Sequence, residues 1–107
     1  MSAPPSNPSA DSSAVRHNVA AQRYEIEFQG QLAVAEYVRE NGRIVYTHTF
    51  VPPEFRGRGF AEKLVRRALD DALAEKAKVV PACSYVDSFI RRHAQYQSLL
   101  AGSAPSG

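Results

Sequence analysis

The stretch from Val51 to Ala61 carries the residues best suited to bind a phosphate group. It reads Val-Pro-Pro-Glu-Phe-Arg-Gly-Arg-Gly-Phe-Ala. An apolar, strand-like run ends at Val51, and the two prolines stop it because neither can donate a backbone N–H to a sheet. An amphipathic pattern begins directly after Gly59. A strand, a glycine-containing loop and a helix start together present free backbone N–H groups to an anion, and Arg56 and Arg58 add positive charge.

This loop differs from two common phosphate-binding motifs. No Gly-Lys-Ser/Thr follows it, which excludes a Walker loop, and Glu62 stands where a dinucleotide-binding fingerprint has its third glycine. Gly57 and Gly59 permit unusual dihedral angles and a close approach of the backbone to a ligand. The plain alternative is an Arg-Gly turn that only joins a strand to a helix.

The loop resembles the acyl-CoA signature of the GNAT N-acetyltransferase superfamily, Arg/Gln-x-x-Gly-x-Gly/Ala, which reads here as Arg56, Gly59 and Ala61. In that family the loop amides and the helix N-terminus hold the pyrophosphate of coenzyme A, so the resemblance implies acetyl-CoA as the co-substrate. It also implies that Tyr85 is a candidate proton donor to the departing thiolate. The cofactor-binding residues implied in this way are Thr49, Val51, Arg56, Gly57, Arg58, Gly59, Phe60, Ala61 and Tyr85.

Length and composition limit the classes of protein that fit. A chain of 107 residues forms one small domain, and 44% hydrophobic residues allow a modest core. The net charge of +2 is too small to imply binding to nucleic acid or to a membrane. Cys83 is the single cysteine, which excludes an internal disulfide and suits a reducing compartment, with the cytoplasm as the default location. No apolar run approaches the ~20 residues that a membrane span needs.

Composition and periodicity predict how the chain is organised. Residues 1–15 are rich in Ser, Pro and Ala and are predicted to be a disordered tail, and residues 101–107 a flexible C-terminus. Between them, residues 16–100 form the folded unit. Alternation of apolar and polar residues predicts strands, Asn41-Gly42 predicts a hairpin, and residues 33–36 alternatively fit a helix. The predicted strands are 23–28, 32–38, 43–51 and 78–83, the predicted helices are 60–76 and 85–92, and another turn covers 95–100.

The order β-β-β-α-β-α matches the core of the GNAT fold. The resemblance implies an α+β fold with a mixed, mostly antiparallel sheet of about four to five strands. In that fold two parallel strands splay apart, and the pantetheine arm of coenzyme A lies in the opening. Pro81, which removes one sheet donor from the last strand, is consistent with such an opening and equally with a plain edge strand.

The chain is similar, more specifically, to the small single-domain YidJ-like family. The segments that carry this similarity are residues 46–52, 56–61 and 81–86. In that family the last helix is followed by His-Pro-Glu-Tyr, which reads here as His93-Ala94-Gln95-Tyr96, so no role is transferred to this segment. Larger GNAT proteins carry helices between the first two strands. Only Gln29-Gly30 stands there in this chain, so the usual wall on the acceptor side is missing.

His48 and Cys83 are the candidate catalytic residues. Acetyl transfer needs a deprotonated amine and a proton for the departing thiolate. His48 lies three residues before Val51, ~10 Å along the strand, near the place where the thioester would fall, and histidine titrates in the range a general base needs. A strand histidine that only packs is the alternative. Cys83 is either a nucleophile activated by His48 or a small buried residue. We favour direct transfer, with Cys83 lining the site.

Two other functions fit the same residues. One is a non-catalytic CoA-binding or regulatory module, and the other is a basic RNA-binding domain that uses Arg56, Arg58, Arg66 and Arg67. The acceptor amine, in a small molecule or a protein, is undetermined. We expect no metal site, because three histidines and one cysteine lack ligand spacing. We also expect no nucleic-acid or membrane partner, and a monomer or a weak homodimer.

Overall fold

A computed structural model of the chain describes residues 14–100, which form one sheet with helices packed against it. The termini predicted to be disordered or flexible lie outside these residues, except for the last two residues of the predicted N-terminal tail. Of these, Val15 packs against the hydrophobic core. The strands are β1 (Arg16–Asn18), β2 (Arg23–Phe28), β3 (Gln31–Glu40), β4 (Arg43–Phe50) and β5 (Lys78–Pro81).

The sheet has the order β1-β2-β3-β4-β5. Strands β1 to β4 pair in antiparallel fashion, and β4 pairs with β5 in parallel. The expected α+β class and the mixed, mostly antiparallel sheet of about four to five strands are therefore confirmed. Residues 33–36 belong to a strand, as the predicted strand 32–38 required, and do not form the alternative helix. Two details differ from the sequence-based expectation: strand β1 was not foreseen, and β5 ends at Pro81 instead of continuing to Cys83.

Two helices follow the sheet meander. Helix α1 (Phe60–Glu75) joins β4 to β5, and helix α2 (Ser84–Arg92) follows β5; short 3₁₀ helices cover Pro53–Phe55 and Ala94–Leu99. Helix α1 ends one residue earlier than predicted because Lys76 adopts a left-handed conformation, with φ of 58°, and its N–H caps the helix. Such a left-handed residue is the usual way for a helix to stop.

The core lies between the helices and one face of the sheet. Tyr24, Ile26, Tyr37 and Tyr46 point to this face, and the hydroxyl of Tyr46 donates a hydrogen bond to the carbonyl of Ala68 over 3.2 Å. The apolar side of α1 that the sequence predicted supplies the opposing surface, although Ala61 and Leu73 stay half-buried. The buried residues of α1 are Phe60, Leu64, Val65, Ala68, Leu69 and Ala72.

Glu25 is an exception to the predicted alternation along β2. Its position on the polar side of the strand predicts partial exposure, yet it is only 2% exposed. Arg16 and Arg23 each donate a hydrogen bond of 2.7 Å to its carboxylate, and Asn18 donates one of 2.9 Å. A buried carboxylate needs such partners. Strand β1, which the sequence analysis missed, supplies two of the three.

Candidate functional site

The loop between β4 and α1 is shaped by two glycines with left-handed backbones. Gly57 has φ of 87° and Gly59 has φ of 80°. Gly59 is also the N-cap of α1, and its carbonyl accepts the first helical hydrogen bond, from the N–H of Lys63. A β-carbon at either glycine would have no atom within 4 Å. Glycine is therefore required by the backbone angle rather than by crowding.

The loop leaves several backbone N–H groups without acceptors. Because the first helical bond begins at Lys63, the N–H groups of Phe60, Ala61 and Glu62 have no partner within the helix. Among residues 14–100, no other group accepts a hydrogen bond from them or from the N–H groups of Gly57 and Gly59. These donors stand at the positive end of the α1 dipole, which is the arrangement that binds phosphate.

A cavity of about 250 Å³ opens at this loop. Its volume is below the roughly 300–1,000 Å³ of sites that enclose a whole drug-sized ligand, so it fits one part of a larger molecule. Most residues that the sequence marked for cofactor binding line it, and Phe55 and Glu62 line it as well. The marked residues in the lining are Val51, Arg56, Gly57, Gly59, Phe60, Ala61 and Tyr85.

Arg56 and Arg58 were both predicted to bind the cofactor, but their side chains have different surroundings. Arg56 lines the cavity, and its Nε donates to the carbonyl of Val51 over 3.3 Å. The guanidinium of Arg58 lies instead over the rings of Phe28 and Phe55, at 5.4 and 5.9 Å from their centroids. Arg58 thus covers an aromatic cluster next to the loop and does not line the cavity, while Arg56 supplies the cationic side chain of the lining.

Strands β4 and β5 pair over only four residues and then separate. The last register pair is Tyr46 with Pro81. The N–H of Cys83 donates to the carbonyl of Tyr46 over 2.9 Å, and in the described chain no backbone bond joins β4 to the β5 side beyond this point. Pro81 cannot donate to a sheet, and the chain then enters α2. The second half of β4 consequently has a free edge that faces a gap.

A β-bulge at Thr47 decides which side chains face the gap. Glu36 pairs with His48, but the next residue, Tyr37, pairs with Tyr46, so Thr47 is an extra residue. Its hydroxyl donates to the carbonyl of Glu36 over 3.3 Å. One extra residue exchanges the two faces for everything that follows. Without it, His48 would share the core face with Tyr46.

The bulge separates the two candidate catalytic residues. His48 is exposed on the face opposite the helices, where its ring stacks on Phe50 at 6.5 Å. Thr49 points to the helix side, where its hydroxyl lies 3.5 Å from the sulfur of Cys83. The structure therefore brings Thr49 and Cys83 together but does not bring His48 into contact with Cys83.

Cys83 is the N-cap residue of α2 rather than the end of a strand. Burial raises the pKa of its thiol, but the Thr49 hydroxyl and the nearby backbone amides of Val86, Tyr85 and Thr49 together outweigh burial and lower it. No side-chain hydrogen bond of capping geometry forms. Amides at a helix N-terminus favour a thiolate in this way, so the sulfur is more acidic than an ordinary cysteine.

Tyr85 and Glu62 set the charge at the mouth of the cavity. Burial, with a smaller effect of the Glu62 carboxylate, raises the pKa of Tyr85, so its hydroxyl keeps its proton at neutral pH and can donate it. Arg66 donates a 2.8 Å hydrogen bond to Glu62, which lowers the pKa of that carboxyl. This ion pair offsets the negative charge that Glu62 brings to an anion-binding loop.

The other histidines have structural partners. The Nε2 of His17 lies 2.6 Å from the hydroxyl of Tyr37, and its ring stacks on Tyr24. His93 stacks on Phe89 at 4.1 Å. Within residues 14–100, no group of three or more His, Cys, Asp or Glu side chains could hold a metal ion. No helix in the same part of the chain is long and apolar enough to cross a membrane.

Comparison with known proteins gives the family. The sequence profile of the GCN5-related N-acetyltransferases matches residues 23–99, which span β2 to the last 3₁₀ helix. The chain belongs to this family. Proteins similar to this chain include Protein NATD1 of Mus musculus, which is 32% identical over 82 residues that cover 74% of each chain. Protein NATD1 of Danio rerio is 30% identical over 88 residues, which cover 77% of this chain and 79% of the relative.

A solved structure has the same GCN5-related fold. The solution structure of a GCN5-like protein from Staphylococcus aureus superposes with a TM-score of 0.68. The match covers 88% of this chain and 93% of the other, at 22% sequence identity. At that identity the likeness concerns the fold alone, which agrees with the mixed sheet and the helix order described above.

Proposed function

We propose that this protein transfers an acetyl group from acetyl-CoA to an amine. The observation that carries the proposal is the set of unpaired N–H groups of Gly57, Gly59 and the first turn of α1 around the cavity that Arg56 lines. Such donors suit the pyrophosphate of coenzyme A. Membership of the GCN5-related family supports the choice of this ligand over other phosphates.

The gap beyond Tyr46 and Pro81 suits the pantetheine arm. Its amide groups can pair with the free edge of β4, as an added strand pairs with a sheet edge. Running from the loop along residues 47–51, the arm would bring the thioester between His48 on one face and Thr49 with Cys83 on the other. Tyr85, which lines the cavity, would protonate the departing thiolate.

We propose direct transfer, with His48 as the general base and Cys83 beside the thioester. His48 is exposed to solvent, so it can take a proton from an arriving amine and release it. Activation of Cys83 by His48 has no support in the structure, because the two side chains point to opposite faces. The Thr49 hydroxyl and the amides of α2 act on the thiol instead.

A non-catalytic CoA-binding module is the second candidate. The separation of His48 from Cys83 favours it. So does the connection between the first two strands, which the structure shows to be β1 and β2 rather than the strands on either side of Gln29-Gly30, because only residues 19–22 stand there and they form no helix. A CoA-binding module would use the same cofactor site as the acetyltransferase, but it would not catalyse acetyl transfer. We further propose a cytoplasmic location, which suits the free thiol of Cys83.

We propose a monomer or weak homodimer without a nucleic-acid partner. Two of the four arginines considered for RNA binding are engaged within α1, Arg66 with Glu62 and Arg67 with Asp71. Arg58 lies over aromatic rings. These contacts reduce the positive charge that a phosphate backbone would meet.

The first test is calorimetric titration of acetyl-CoA into the protein and into Gly59→Glu. The substitution places bulk and negative charge among the loop donors, so we expect binding in the micromolar range to be lost. Gly42→Glu is the matched control, because Gly42 also has a positive φ, of 77°, and open space around its α-carbon but lies in the β3–β4 hairpin. Wild-type protein that is folded and fails to bind acetyl-CoA would sink both CoA proposals.

A further inference from the structure

The sheet face opposite the helices carries a set of side chains that the core does not use. Strand register places Glu25, Val34 and Phe50 in one row across this face and Arg23, Glu36 and His48 in the next. Val34 does not belong to the core cluster that α1 and α2 complete. We call the group formed by Leu32, Glu36, His48 and Phe50 the open-face group.

Glu36 is a carboxylate whose nearest cross-strand cation is already engaged. Arg23 is its register partner on β2, but the Nε of Arg23 bonds to Glu25 at 2.7 Å. Thr47 bonds to the backbone carbonyl of Glu36 and not to its side chain. None of the ion pairs within residues 14–100 includes Glu36, so its charge is available to a cation from outside.

His48 is the neighbour of Glu36 on the other side. The two residues are register partners across β3 and β4, which places their β-carbons roughly 4.5–5.5 Å apart. The bulge at Thr47 creates this juxtaposition, because it turns His48 onto the face that Glu36 occupies. A carboxylate and an imidazole at this spacing can contact the same small cation at once.

Two apolar side chains flank this pair. Phe50 is 41% exposed and Leu32 is 36% exposed, and both rank among the exposed large hydrophobic residues of the described chain. Phe50 also stacks on His48. Exposed apolar groups beside a carboxylate that no ion pair neutralises suit a ligand that has a charged end and an aliphatic stem.

We propose that Glu36 binds the acceptor as an ammonium ion and delivers it to His48, and that the acceptor is a primary alkylamine. This inference rests on the proposed acetyl transfer. The alkylammonium group is shared by lysine side chains and by aliphatic polyamines, and the open-face group would hold its stem on Phe50 and Leu32. Glu36 is thus an acceptor-binding residue, and replacing it should leave the binding of coenzyme A unchanged.

Acetyl transfer to the bound ammonium ion needs no groups beyond those already named. His48 takes one proton from the ammonium ion and passes it to solvent. The amine nitrogen then forms a bond to the acetyl carbon while the carbon–sulfur bond breaks. The second proton from nitrogen ends on the sulfur of coenzyme A, by way of Tyr85 or water. The net change is one amide, one thiol and one released proton.

The test is a resonance titration of the full-length protein saturated with coenzyme A. n-Butylammonium chloride is the cationic probe, and n-butanol is its neutral counterpart. We expect the amide resonances of Glu36, His48 and Phe50 to shift with the cation and not with the alcohol. The shifts should disappear in Glu36→Gln, remain in part in Glu36→Asp, and persist in Glu27→Gln, a control on the exposed end of β2.

Kinetics supply the second readout and separate the two sources of amine. Nα-acetyl-lysine methylamide and spermidine serve as acceptors with acetyl-CoA. We expect Glu36→Gln to raise the acceptor KM about tenfold, the loss of one charge-assisted contact, with kcat changed little and acetyl-CoA binding intact. The acceptor with the lower KM identifies the source.

Two results would overturn the inference. One is a set of cation-induced shifts that persist in Glu36→Gln or map away from the open-face group. The other is the absence of any response to the cation in protein that binds coenzyme A. Binding of coenzyme A is followed separately, by the shifts of the amide resonances of Gly57 and Gly59. If coenzyme A does not bind, the proposed function is overturned instead.

Discussion

The hydroxyl oxygen of Thr49 lies 3.5 Å from the sulfur of Cys83, across the point where β4 and β5 separate. The contact joins the second half of β4 to the N-cap residue of α2. It places a polar group on each side of the gap, on the helix side of the sheet. The chemistry expected of Cys83 therefore depends on Thr49 rather than on His48.

Replacing Thr49 with valine should make Cys83 less acidic. The hydroxyl is among the groups that lower the pKa of the thiol against the opposing effect of burial, so its loss should raise that pKa. We expect the pH midpoint for alkylation of Cys83 by iodoacetamide to move upward and the rate at neutral pH to fall. Thr47→Val, on the same strand, should leave the midpoint in place. An unchanged midpoint in Thr49→Val would assign the whole effect to the backbone amides of Val86, Tyr85 and Thr49.

Replacing Gly59 with alanine should destabilise the fold without any clash. A side chain there meets open space, so the cost arises from the left-handed backbone and amounts to about 1 kcal/mol. Urea unfolding would measure it. Asparagine tolerates this conformation better than alanine, so Gly59→Asn should cost less. Equal losses in the two variants would show that the backbone angle is not the cause.

Replacing Glu25 with glutamine should lower the free energy of unfolding by roughly 2 kcal/mol at neutral pH. The hydrogen bonds from Arg16, Arg23 and Asn18 hold the pKa of Glu25 down, at about 2, against the effect of burial. Arg16 is 62% exposed, so solvent screening keeps the loss below that of a deeply buried pair.

The effect of Glu25 should also depend on pH, with a defined sign. Its pKa is lower in the folded state than in the unfolded chain, so its stabilisation is present above the unfolded value of about 4.3. It is lost as the pH falls through about 2. The stability difference between wild type and Glu25→Gln should therefore shrink on acidification. Glu27→Gln is the control and should differ little from wild type at any pH; a Glu25 difference that stays constant down to pH 2 would contradict the assignment.

Direct transfer and transfer through an acetyl-cysteine predict opposite kinetics for two variants. With direct transfer, Cys83→Ala should retain most of kcat, while His48→Ala should lose roughly 100-fold or more, as expected for a general base. Inactive Cys83→Ala together with a trapped acetyl-protein would instead establish the covalent route.

Much of the fold is readable from local patterns. Period-two alternation, the Asn41-Gly42 turn and the apolar side of α1 each depend on residues close in sequence. The loop from Arg56 to Ala61 is readable for the same reason, because its glycines and the helix start are adjacent. Helix ends and the short strand β1 are less readable. Lys76 ends α1 by adopting a positive φ angle, which the residue type does not predict. Strand β1 is defined by its pairing with β2, which lies later in the chain.

The sequence by itself determined the order of elements from β2 to α2 and the glycine-containing loop that leads into α1, because both follow from neighbouring residues. Only the tertiary structure decided which side chains share a face. The extra residue at Thr47 is visible only in the register against β3. It nevertheless places His48 beside Glu36 on one face and Thr49 beside Cys83 on the other. Likewise, Glu25 is buried because residues of β1 fold over it. Strand pairing joins residues distant in sequence, and a shift of one residue exchanges the two faces of a strand.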